Sequence, residues 1–287
     1  LSGIQIIQRK LFAYQTRFLS LIELINGKLN ELHLVFVENP QLIQGVESFR
    51  DQIKNKCFSF DAFYAFLVKS WPDAPPTEVA QIEHIKSQYD EIMKSEVTIM
   101  SIFYRISKQS NTFYQFLEAN SILKCIQNFN YNEGSELLLN TLLFINEALI
   151  TWTDFRFLFL EDKSSFPSLI NISETSAYTV KTQAAHLFTN LFYLDHDNLF
   201  MPTLVEHGVI KRIIEIFEEI QDNELYKKLI TVFCSIIDRG MVKLLSNDLE
   251  SILEIITELA SNTEDKRLEN LAQRLISKIR PLLEEDE

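Results

Sequence analysis

Glycine and proline are scarce in this chain, at 6 and 7 of 287 residues, which argues against the many tight turns of a sandwich or barrel. Cysteine is scarce too. Cys57, Cys125 and Cys234 are odd in number, far apart and flanked by apolar residues, so a disulfide framework is not expected and all three read as buried reduced thiols. No charge-free run of about 18 apolar residues occurs. The best candidate, Leu137 to Ile150, is interrupted by Asn140, Asn146 and Glu147, so no transmembrane segment is expected and the chain reads as soluble. It begins with Leu1 and shows no basic stretch followed by a small-residue cleavage site, and so reads as a fragment without a visible secretory leader. The expected location is the cytoplasm, with the nucleus or the cytoskeleton as alternatives.

Positive charge is also in short supply. The net charge is −13, and residues 144–287 hold 14 basic against 25 acidic side chains, or −11 of that total. A field of this sign repels phosphates and anionic lipid, both of which are held by lysine and arginine patches. Nucleic acid is therefore not an expected partner, whereas a basic protein segment is compatible.

What the chain does have is an apolar content of 46%, ample for a packed core, and a composition dominated by Leu, Ile, Phe, Glu and Lys. That composition favours helices. A short pattern then returns along the chain: Ile102-Phe103-Tyr104-Arg105, Leu143-Phe144-Ile145-Asn146, Leu187-Phe188-Thr189-Asn190 and Val232-Phe233-Cys234-Ser235. With Lys278, the polar positions are 41, 44, 45 and 43 residues apart, the period of a two- or three-helix solenoid repeat. Val180, Ala184, Leu187, Phe188 and Leu191 align with Leu225, Leu229, Val232, Phe233 and Ile236, and then with Leu268, Ala272, Leu275, Ile276 and Ile279. Steps of 4, 3, 1 and 3 put each set on one helical stripe.

A second helix precedes each of these. Ile210, Ile213, Ile214 and Phe217 match Ile122, Cys125, Ile126 and Phe129 two repeats earlier, and more weakly Ile252, Ile255, Ile256 and Leu259. A short first helix ends in Leu204-Val205-Glu206-His207-Gly208, with a counterpart in Phe116-Leu117-Glu118-Ala119-Asn120. Gly208 and Asn120 align, and both residue types tolerate the left-handed turn such a junction needs. Ser261-Asn262-Thr263-Glu264 reads as a cap for the last third helix.

Ala184-Ala185-His186-Leu187-Phe188-Thr189-Asn190-Leu191, inside Val180–Glu219, resembles an armadillo repeat. The resemblance covers roughly residues 96–287 and implies an all-α, right-handed α-solenoid of armadillo-like repeats with an N-terminal helical cap. It further implies that Phe103, Phe144, Phe188 and Phe233 pack between repeats, and that the polar residue after each pair faces a concave groove. In importin-like members an Asn there holds the main chain of an extended peptide. Asn146 and Asn190 keep it; Arg105, Ser235 and Lys278 depart from it, and His186 stands where import adaptors carry Trp. Arg105, Asn146, His186, Asn190, Ser235 and Lys278 are thus the candidate protein-binding residues, with Glu147, Glu215, Glu218 and Glu219 placed to favour basic side chains.

Residues 1–95 show no such self-similarity. They read as helices over 4–27, 39–56, 58–71 and 77–97, punctuated by Asn39-Pro40 and Trp71-Pro72-Asp73-Ala74-Pro75-Pro76, and form a capping subdomain or very degenerate repeats. The 22 phenylalanines, clustered at Phe58-Phe60-Phe63-Phe66 and Phe155-Phe157-Phe159, read as core aromatics. Asp195-His196-Asp197 with His207 lacks the spacing of a specific metal site. No phosphate loop, serine elbow or cysteine–histidine context stands out, so neither an enzyme nor a cofactor is expected. The sequence reads as a eukaryotic scaffold or adaptor that binds a protein segment. A transport adaptor, a chaperone cofactor and a regulatory domain like that of formins are the alternatives.

Overall fold

The computed structural model describes residues 2–55, 58–110, 112–127, 136–161, 165–195, 201–245 and 247–284. Leu11, Phe18, Leu21, Ile25, Leu29 and Leu32 form an apolar stripe that no breaker interrupts before Asn39-Pro40, and all six are buried. Helix α1 accordingly runs over Ser2–Val35, past the end expected at residue 27. Asn39 then caps α2 (Pro40–Lys54), its side chain accepting from the Gln41 and Leu42 amides, with Pro40 at a first-turn position that needs no donor. Ser59 caps α3 (Phe60–Ser70) in the same way through the Ala62 amide. After the proline-rich turn comes α4 (Pro76–Gln109), a second helix of 34 residues.

The boundary expected near residue 95 falls inside α4. Ile85, Tyr89, Ile92, Ile99, Met100 and Phe103 continue one buried stripe straight through it, so the expected helix over 77–97 and the segment carrying Phe103 are one element. The chain divides instead into two compact units, Leu1–Phe159 and Leu160–Glu287. The first unit is completed by a 3-10 turn at Phe113–Phe116, by α5 (Ala119–Gln127) and by α6 (Glu136–Thr151); α7 (Thr153–Glu161) carries the division. In this unit α1 packs on α2, α4 and α5, and α4 also packs on α6.

Aromatic rings fill the space between α2, α3 and α4. Phe49 meets Phe63 at 5.4 Å between centroids and Phe60 meets Tyr89 at 5.5 Å. Burying each ring is worth about 1.5–3 kcal/mol. Gly45 lets α2 approach α3 this closely, because a Cβ there would stand 2.5 Å from Phe66 Cε2. Of the second phenylalanine cluster, Phe155 and Phe159 are buried while Phe157 is 45% exposed. One polar pair lies deep between α1 and α4. Gln15 Nε2 donates to Glu96 Oε1, and burial pushes the Glu96 carboxyl up to about 8 while the Gln15 bond pulls it down.

The second unit holds α8 (Ser165–Thr175), α9 (Tyr178–Leu194), α10 (Met201–Glu206), α11 (Val209–Glu219), α12 (Asn223–Asp238), α13 (Leu249–Asn262) and α14 (Lys266–Glu284). Gly208 joins α10 to α11 at φ 71°, the left-handed conformation read from sequence. Its counterpart does not share it: Asn120 sits inside α5, because the chain turns earlier, at the extended Leu117 that ends the 3-10 turn. The Ser261 cap is also displaced. Ser261 lies in the last turn of α13, its hydroxyl donating to the Thr257 carbonyl, and Asp265 caps α14 through the Arg267 and Leu268 amides. All fifteen apolar residues aligned on α9, α12 and α14 are buried. Within this unit α9 packs against α12 and α12 against α14, with α11 touching α8, α9 and α12 and α13 lying on α14.

Among the described residues there is no strand, and no helix is long and apolar enough to cross a membrane. Phe103, Phe144, Phe188 and Phe233 are all buried, and the first two rings meet at 5.8 Å. Cys234 is a buried free thiol, its pKa raised by burial. Cys57, the side chains of Cys125 and Ile126, Phe129, His196, Asp197 and Glu285–Glu287 lie outside what is described.

Candidate protein-binding surface

Burying an apolar stripe on α9, α12 and α14 leaves each helix with a polar edge at matching register. On α9 the edge is His186 and Asn190, one turn apart. On α12, which starts where Asp222 accepts from the Leu225 amide at 2.8 Å, it is Lys228, Thr231, Ser235 and Asp238, spaced 3, 4 and 3 residues. On α14 it is Arg274 and Lys278. Since these helices are neighbours in the order α9, α12, α14, their edges meet. Lys228 Nζ donates to Asn190 Oδ1 at 3.3 Å, tying α12 to α9. Lys278 bonds to Asp238, and Arg274 approaches the same carboxylate at 3.7 Å, tying α14 to α12. Four expected site residues, His186, Asn190, Ser235 and Lys278, therefore fall on one side of the second unit, with Asn190 itself buried at 6% exposure.

The other two belong to the first unit. Arg105 is exposed on α4 and Asn146, at 8% exposure, is buried on α6, which packs against α4.

The electrostatics of this edge differ from the acidic surface expected of it. Lys228 is half-buried, makes no ion pair among the described residues, and has its pKa lowered by burial, with Glu224 and Asp222 opposing from a distance. His186 is also lowered, by burial first and then by the Lys228 charge, and its Nδ1 is buried without a described partner. This end of the edge thus places the Lys228 cation beside His186, with the Asp222 and Glu224 carboxylates acting on both. Ser235 lines a small cavity of about 130 Å³ with Tyr193, Thr231 and Arg239.

Three of the four carboxylates expected to attract basic side chains, Glu215, Glu218 and Glu219, are engaged elsewhere, while Glu147 lies on α6 of the first unit. Arg212, 3% exposed on α11, donates to Glu215 at 3.1 Å and Glu219 at 2.9 Å through Nη1, and to Ser173 Oγ at 2.8 Å through Nε. Its hydrogen bonding, and then its charge, lowers the Glu219 carboxyl below its ordinary value. Lys181 adds a second cation at 3.4 Å from Glu219, and Glu218 accepts from Ser251 at 2.9 Å. Arg212 thus fastens α11 to the C-terminal end of α8.

Two residues that shape this region, Lys228 and Arg212, are not among those singled out from sequence. Lys228 lies two turns before Ser235 on the same edge, a register signal that was available. Arg212 stands among Ile210, Ile213 and Ile214, where an arginine with glutamates three and seven residues on marks a buried cation. Asp195 has a structural role: its Oδ2 accepts from the Met201 amide at 2.9 Å and starts α10. His207 stacks on Phe166 at 5.2 Å. Comparison with protein-family models, curated protein sequences and solved structures finds no match to this chain.

Proposed function

We propose that the chain is an armadillo-like α-solenoid acting as a protein-interaction scaffold, and that the polar edges of α9, α12 and α14 hold an extended segment of a partner. Three features support the repeat assignment. A short α10, a left-handed Gly208, a second helix α11 and a third helix α12 follow in the order the resemblance requires. The aligned stripes of α9, α12 and α14 are buried throughout. Residues spaced by the repeat, Asn190, Ser235 and Lys278, come to one surface.

The observation that carries the binding reading is Lys228 with Asn190: a half-buried ammonium with spare donors beside an amide, on an edge where every other strong charge is paired. An amide suits a partner's main chain, and an ammonium short of a carboxylate suits an acidic side chain. The partner segment is accordingly of mixed charge, not simply basic.

Selection from a random-peptide display library tests this with defined ligands. The intact chain should enrich extended peptides carrying Asp or Glu. Synthetic copies should bind the Asn190→Ala, Lys228→Ala double variant at least about tenfold more weakly, a loss of about 1.4 kcal/mol, while the melting temperature stays near that of the parent. Equal binding to both forms, or no enrichment, overturns the proposal.

A further inference from the structure

The polar pair between α1 and α4 is incomplete as drawn by its heavy atoms. Gln15 is 3% exposed and Glu96 fully buried, so neither reaches water. Gln15 Nε2 donates to Glu96 Oε1, which leaves Gln15 Oε1 and Glu96 Oε2 buried with no described partner. Two acceptors cannot satisfy each other, and leaving both unpaired costs several kcal/mol on the scale of buried polar groups. One proton resolves both at once: on Glu96 Oε2 it makes a donor, and Gln15 Oε1 is the acceptor left over on the same partner.

We propose that Glu96 is a carboxylic acid in the folded chain, joined to Gln15 by two reciprocal hydrogen bonds, and that this pair is a proton-dependent clasp closing α1 onto α4. Loss of the proton to water leaves a buried carboxylate with one donor and sets its charge in a low-dielectric contact. The surroundings offer nothing to neutralise it. One turn away on either helix stand Leu11, Phe18, Ile92, Met93, Ile99 and Met100. The buried residues of α6, which covers α4, include no titratable group. Of the charged side chains on the neighbouring elements, Arg17 pairs with Glu91 and Lys28 with Glu78 between α1 and α4, Lys28 also with Glu31 on α1, Lys86 with Asp61 of α3 and Asp90, and Arg50 with Glu47 on α2; Arg9, Lys10, Lys94, Arg105 and Lys124 are exposed. On Glu96 itself only burial and the Gln15 amide act.

The sign of the pH effect follows. Because the folded chain holds the proton more tightly than the unfolded one, the clasp contributes fully below the ordinary carboxyl value of 4.5 and is lost as pH rises through about 8. Both tryptophans, Trp71 and Trp152, lie in this unit, so their fluorescence reads its unfolding in the intact chain. In urea titrations the unfolding constant should rise with a slope approaching about tenfold per pH unit across that window, the slope of one proton. In Glu96→Gln, where two amides can still exchange two bonds, the same constant should be flatter by that one-proton slope. Infrared difference spectra decide the matter on the parent protein if the variant folds poorly. A protonated-carboxyl band should be present near about pH 6 and absent above about pH 9. Gln15→Leu, which removes the one group pulling the carboxyl down, should carry the loss of that band to higher pH. No such band near neutrality, or an unchanged slope in Glu96→Gln, overturns the clasp.

Discussion

Phe188 and Asn190 stand two positions apart on α9 and answer to different demands. Phe188 is fully buried in the apolar core, whereas Asn190, also buried, spends its amide oxygen on Lys228. Truncating the ring in Phe188→Ala should cost about 3–5 kcal/mol, the transfer term plus the cavity left behind. Urea melts will measure it, and a midpoint unmoved within error would show that the ring is not the packing element its burial implies. Register made Phe188 legible in the sequence: five apolar positions repeated three times cannot all face solvent. The partner of Asn190 was not legible, because a lysine on one helix and an amide on the next, 38 residues earlier, share no local signal. Sequence spacing fixes which side of a helix a residue occupies; which neighbour it meets there depends on how the helices pack.

At the scale of single elements the decisive residues are those that start and stop helices. Gly208 holds φ 71° with open space around the position of its missing Cβ, so a side chain there would fit but the backbone would be strained. Gly208→Val should therefore destabilise by about 1–2 kcal/mol, the cost of a left-handed residue bearing a Cβ. Gly208→Asn should recover much of that loss, since asparagine tolerates this region. Equal melting temperatures for the valine and asparagine variants would refute the backbone account. The same reasoning explains which boundaries were misread. Asn120 has the right residue type for a left-handed turn but lies within α5, because the extended Leu117 has already turned the chain. Ser261 has the right spacing for a capping box, yet it lies in the last turn of α13, and Asp265, immediately before the next helix, supplies the cap. Residue type licenses a turn or a cap, and the neighbouring packing selects among several licensed positions. The length of α4 was misread for a different reason: a change from non-repeating to repeating sequence near residue 96 marks no break in the helix, whose buried stripe is continuous.

Taken over the whole molecule, Glu219 in the second unit and Glu96 in the first contribute to stability with opposite dependence on pH. In the second unit Arg212, and secondarily Lys181, hold Glu219 below its ordinary 4.5. Folding there is favoured by the ionised form, so this contribution is present above 4.5 and disappears as pH falls through the lowered value. The first unit, through Glu96, loses stability as pH rises. Tryptophan fluorescence for residues 1–159 and hydrogen exchange of the α11 and α12 amides, corrected for the intrinsic exchange rate, should therefore show opposite pH trends, the second falling in acid and the first in mild base. Parallel trends would remove this assignment. The architecture also bears on synthesis. Gln15 and Glu96 are 81 residues apart, and translation at about 5–20 residues per second separates their emergence by roughly 4–16 s. By contrast α13 and α14 adjoin in sequence and pack together almost as soon as both exist. Throughout that delay α1 leaves the ribosome with Phe18, Leu21, Ile25 and Leu29 lacking the cover that α4 adds to that of α2, so the first helix of this unit is a segment for which a nascent-chain chaperone has both the time and the apolar surface.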